Sequence, residues 1–226
     1  MEPKGLRKLG GISLMISGAL FLVKATLDLI AGPPPSNGVE ILVWVAAKKV
    51  PLAWTSEVLF FAIMFLVPAV IALYQSLADT EEAKAAFGCG VIAAVIPITA
   101  VLLIVHGRLV YPVYGLRIAA PAVAELVVAL FYGGLHATAL MFGIATIVLS
   151  FTMKRGIYGR AIAVLGMATG VFDLIGSYPW LIGPGLALLS QTVFAAWFLA
   201  VGARLVAMSS SVAPPVRLRA QGEALS

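Results

Sequence analysis

Charge is what this chain has least of: Asp, Glu, Lys and Arg make up 11% of its 226 residues, where a soluble globular domain carries roughly 25%. The polar surface needed to coat a water-soluble fold is missing, and that class is excluded. With Cys89 as the sole cysteine, an intrachain disulfide and any multi-cysteine metal centre are excluded too. Histidine occurs only as His106 and His136. The alternating segments of about 10 residues that mark a transmembrane β-barrel are absent. So are a phosphate-binding glycine loop, HExxH, GxSxG and a lysine placed for a retinal-type Schiff base.

Apolar sequence fills the space instead. Hydrophobic residues make up 62% of the chain and the mean hydropathy is +1.06. A helix crossing the hydrocarbon core needs about 20 apolar residues, and several runs reach that length. The expected fold is therefore all-α: a polytopic membrane bundle of six transmembrane helices, one domain over 1–208, followed by a disordered cytoplasmic tail over 209–226. A net charge of +5 would suggest nucleic acid for a soluble protein. In this setting it reads as a topology signal and as attraction to anionic lipid heads, and no nucleic-acid partner is expected.

The first run, 12–31, follows three cations but is too long for a signal peptide and carries Lys24 and Asp28, so it is read as a retained helix. Consecutive prolines in 32–38 end it. Residues 39–49 are too short to span and suit a helix lying in the interface. Further spans are expected over 51–77, with Pro68 as a kink, and 88–111, with Pro97 as another. The fourth run, 121–153, exceeds one membrane thickness, and its Tyr132-Gly133-Gly134 step is the natural place for a broken or bent span. Two more spans follow, over 157–178 and 184–208. Lys4, Arg7, Lys8, Lys84, Lys154, Arg155, Arg160, Arg204, Arg217 and Arg219 then lie on one side, against Lys48, Lys49, Arg108 and Arg117 on the other. The positive-inside rule places both termini in the cytoplasm of a multi-pass cell-membrane protein.

That topology gives each intramembrane polar group a depth. Lys24 and Asp28, four apart and so on one helix face, form an ion pair. Glu57, His106, Asp173 and Gln191 all fall in the outer half. Asp173 shares a stripe with Gly166, Gly170 and Ser177, and His136 one with Ala139, Gly143 and Thr146. Small-residue faces meet other helices, so both should point inward. The ordinary alternatives are packing, head-group snorkelling and simple ion pairs. They account least well for Glu57, His136 and Asp173 on three separate helices.

LRKLGGISLMISGAL at the start, LFFAIMFLVPAVIALYQSL in the second span, and the passage from Tyr132 to Tyr178 with its Leu-His step, basic turn, glycine-rich helix and late aspartate together resemble the membrane family catalogued as domain of unknown function 4386. The resemblance covers about two-thirds of the chain. It departs in the 32–38 loop and in the tail. It implies a six-helix-type membrane protein, carries no established activity, and picks out His136 and Asp173.

Three functions are compatible with these residues. The first is an outward-facing polar cavity that binds or transports a small ligand or ion, or serves a larger complex, with Glu57, His136, Asp173, His106 and Gln191 as ligand-binding residues. The partners are then the bilayer and other membrane subunits or further copies of the chain, with no cofactor. The second is a membrane metalloenzyme holding Zn²⁺ through His106, His136, Glu57 and Asp173. The third is an electron carrier with haem b held between His106 and His136.

Overall fold

The computed structural model describes residues 3–210. The expected tail lies outside the described residues, apart from 209 and 210, which close the last helix. Among the described residues six helices follow one another: α1 (Pro3–Ala31), α2 (Gly38–Ala47), α3 (Lys49–Val110), α4 (Pro121–Arg155), α5 (Arg160–Gly176) and α6 (Pro179–Ser210). No strand occurs among the described residues. Four of the helices, α1, α3, α4 and α6, are long and apolar enough to cross a membrane.

At 62 residues, α3 would measure about 93 Å if straight, three times the hydrocarbon thickness. It is not one rod. Glu81 leaves helical geometry at φ −153° and ψ 85°, inside the charged stretch 78–86 between the spans expected over 51–77 and 88–111. Ser56 Oγ then meets His106 Nδ1 at 2.8 Å, and the Tyr111 hydroxyl lies 3.1 Å from the Ala53 carbonyl oxygen. Contacts between residues about fifty apart require the two arms, 49–80 and 82–110, to lie antiparallel. Pro68 and Pro97 leave the helical geometry of their arms uninterrupted. Arg155, ending α4, donates to Glu81 at 2.9 Å and Lys84 pairs with the same carboxylate.

The helices form a ring in which α1 packs on α3 and α6, α3 on α4, α4 on α5, and α5 on α6. Glycine makes several of these approaches close. A Cβ on Gly11 would lie 2.6 Å from the Gly202 carbonyl oxygen, and one on Gly143 3.0 Å from that of Gly170. The Gly166/Gly170 and Gly143 faces thus pack helix on helix, as small-residue stripes do where lipid supplies no hydrophobic drive. Trp197, Phe131, Phe198 and Leu149 are fully buried between the helices, while Ile104, Val101 and Val164 are exposed on the outside of the bundle.

The break expected near Gly133-Gly134 is not there. Helix α4 runs uninterrupted for 35 residues, about 52 Å at 1.5 Å per residue. The reason lies in α3: a Cβ on Gly134 would overlap the Leu102 side chain. The glycine admits a neighbour and does not release a hinge.

Helix α2 forms where a short helix was expected, with Asn37 capping it by accepting from the Glu40 amide at 2.9 Å. Glu125 of α4 accepts from the Gly38 amide at 2.6 Å, so this acid secures an N-terminus. At the other end, Trp44 Nε1 and Lys48 Nζ donate to the Ala31 and Ile30 carbonyls at 3.0 and 3.3 Å. Those carbonyls end α1 and have no partner within their own helix. In α6, Gly183 adopts φ 77°, which separates one helical turn from the long segment beginning at Pro184.

Candidate functional site

A cavity of about 540 Å³ lies where the second half of α1, both arms of α3, and α4, α5 and α6 converge. It occupies the end of the bundle away from the first turn of α1. Lys24, Asp28, His136, Asp173 and Gln191 all line it, contributed by four different helices. The rest of its wall is mainly apolar. Phe21, Phe142 and Phe194 form an aromatic floor with ring centroids 5.2–6.1 Å apart, each pair edge to face. The volume suits a small organic ligand, for which pockets run about 300–1,000 Å³.

Lys24 Nζ lies 2.5 Å from Asp28 Oδ2; one turn of α1 brings the two together. His136 reaches across to the end of α5, where its Nδ1 lies 2.7 Å from the Ser177 carbonyl oxygen. A carbonyl only accepts, so Nδ1 carries a proton and Nε2 is the position free to accept one. Tyr178 and Trp180 pack edge-on against the imidazole at 4.7 and 5.3 Å. The ring is thereby held in orientation.

Asp173 is 4% exposed, one turn before Ser177. Its Oδ2 is buried without a hydrogen-bond partner. Ser190 Oγ stands 3.5 Å from Oδ1 but only 2.9 Å from the Phe172 carbonyl oxygen. A hydroxyl has one proton to give, and the shorter contact takes it. Neither carboxyl oxygen therefore has a firm donor. An ionised carboxylate so placed is costly unless a proton or another cation neutralises it.

Glu57 and His106 stand apart from this group. Glu57 is exposed and accepts from the Tyr111 hydroxyl at 3.0 Å; it shares its helix face with Phe60 and Phe61, both exposed. His106 is buried beside Ser56 and stacked on Phe131 with ring centroids 4.1 Å apart. Neither lines the cavity, so the set His106, His136, Glu57 and Asp173 is not gathered at one place. Among the described residues no three His, Cys, Asp or Glu side chains cluster as metal ligands would.

Residues that the sequence reading passed over complete the wall. Tyr132 stands one turn before His136, and Trp180 packs on the histidine. Ser190, which is not part of the wall, stands beside Asp173; a helical serine ordinarily satisfies itself on its own backbone, so nothing in the sequence sets it apart.

No protein-family model, curated protein or solved structure matches the chain.

Proposed function

We propose that this chain is a membrane protein that binds a small ligand in the cavity, either to move it or to present it within a larger membrane complex or homo-oligomer. The observation that carries the reading is the convergence of Lys24, Asp28, His136, Asp173 and Gln191 on one mainly apolar cavity. Isolated charges at membrane depth mark functional sites by default, because each is costly to insert. Counting both arms of α3 and the shorter α5 as crossings gives six spans. With ten of the fourteen loop and terminal cations on the side of the chain ends, those ends are cytoplasmic and the cavity faces outward. The resemblance to family 4386 is compatible with this arrangement and adds no activity.

The test is occupancy. Purified protein in lipid nanodiscs is titrated with N-phenyl-1-naphthylamine, a neutral dye that brightens in apolar surroundings. Saturable binding is expected, and Ala139→Trp, which fills the cavity wall, should abolish it. Unsaturable binding, or binding that Ala139→Trp leaves unchanged, would refute the reading. A reporter fused after Ser226 checks the orientation: activity only outside the cell would reverse it.

A further inference from the structure

We infer that the cavity takes an apolar organic ammonium ion, and that this ion and a proton are alternative partners of the Asp173 carboxyl; the inference rests on the ligand-binding reading above. Its starting point is the unmatched carboxyl. Asp173 is nine-tenths buried, lines the cavity, and has no firm hydrogen-bond donor on either oxygen. A proton relieves that situation, and so does a cation that brings its own N–H donors.

The other charged groups around the cavity favour a cation. Helix α1 presents Lys24, but Asp28 already holds it, so an anion finds no unpaired positive charge there. Helix α4 presents His136, whose Nδ1 is engaged by Ser177, and the phenol of Tyr132. Helix α6 presents Gln191, whose side-chain amide offers a further acceptor in the cavity wall. With Asp173 ionised and His136 neutral, the lining groups sum to one negative charge. The floor of Phe21, Phe142 and Phe194 receives the ligand's apolar body.

The balance is simple. A ligand R–NH₃⁺ meeting the protonated Asp173 displaces the carboxyl proton to solvent, forms N–H···O hydrogen bonds to the carboxylate, and leaves the charge of the site unchanged. No covalent bond in the ligand forms or breaks. A protein that alternates its access would by this step exchange an amine for a proton.

Three ligands of one skeleton separate the ideas: 3-phenylpropylamine, 3-phenylpropanol and 3-phenylpropanoate, titrated by calorimetry into the purified full chain in nanodiscs. The amine should bind tightest, with the heat differing between buffers of unlike ionisation enthalpy in the sense of proton release. Asp173→Asn should weaken the amine about ten- to hundredfold, the range for losing a charge-assisted hydrogen bond, while leaving the alcohol within about twofold by the same reasoning, since it makes no charged contact. Asp28→Asn, which frees Lys24, should weaken the amine and strengthen the carboxylate. Equal binding of all three ligands, or amine affinity unchanged in Asp173→Asn, overturns the ammonium assignment and leaves the cavity reading standing. Amine binding without proton release overturns the exchange. Failure of all three ligands together with the neutral dye overturns both readings.

Discussion

The two adjacent glycines of α4 provide the sharpest test of how this bundle is held together. Their environments differ. A Cβ at Gly133 meets nothing within 4 Å, whereas one at Gly134 lies 2.9 Å from Leu102 Cγ and overlaps both methyls beyond it. Gly133→Ala therefore removes backbone entropy from the unfolded chain and creates no clash, a gain of up to about 1 kcal/mol. Gly134→Ala collects the same gain but forces Leu102 to move, and overpacking costs about 1–3 kcal/mol. The expected difference between the neighbours is thus about 1–3 kcal/mol in favour of Gly133→Ala. At about 2–4 °C per kcal/mol for a chain of this size, that is several degrees. The sole cysteine supplies the assay. Cys89 is 3% exposed, so a thiol-reactive fluorogenic dye reports unfolding without labelling the native state. If α4 hinged at this step, both alanines would stiffen it alike. Equal shifts, or a Gly134→Ala protein more stable than Gly133→Ala, would refute the packing argument.

Three further outcomes are expected. Glu57→Gln should leave ligand affinity within about twofold, because the side chain meets Tyr111 on the outside of the bundle and exposed polar pairs carry little energy; a loss comparable to that of Asp173→Asn would place Glu57 in the site after all. The Glu81 carboxyl is held below its usual range, first by the Lys84 hydrogen bond and further by the Lys84 and Arg155 charges, against the opposing effect of burial. A folded value below the unfolded one stabilises above the ordinary glutamate range and is lost as pH falls through the folded value, so wild type should out-melt Glu81→Gln at neutral pH and converge with it in acid. Asn37→Ala should cost about 1 kcal/mol through loss of the α2 cap, read as a lower melting temperature with the ammonium preference unchanged.

Much of this architecture is legible in the residues, and the limits have a physical pattern. The apolar runs place the helices, the charged 78–86 stretch contains the turn between the arms of α3 at Glu81, and the prolines of 32–38 separate α1 from α2. Run length alone misleads at α4. It says that 35 residues exceed a hydrocarbon thickness, and it is silent on whether the surplus bends or projects. Glycine is equally ambiguous there, since the property that weakens a helix in isolation is the one that lets Leu102 close on it.

Depth is readable for the polar side chains, but rotation about the helix axis is readable only where small residues mark a face. Glu57, Asp173 and Gln191 share an outer half on paper. What separates them is the company each keeps at intervals of three and four residues. Asp173 is flanked by Gly166, Gly170 and Ser177, and His136 by Ala139 and Gly143; those faces admit a neighbouring helix, and both side chains line the cavity. Glu57 is flanked by Phe60 and Phe61, 41% and 52% exposed, and bulky apolar side chains are those a bundle leaves for lipid when small ones compete for its interior. His106 shows where even that rule stops. It has no small-residue stripe, yet it is buried because Ser56 and Phe131 arrive from two other segments. Small residues set the rotation of a helix where backbones touch; where side chains meet side chains, the partner decides, and the partner is known only once the chain has folded.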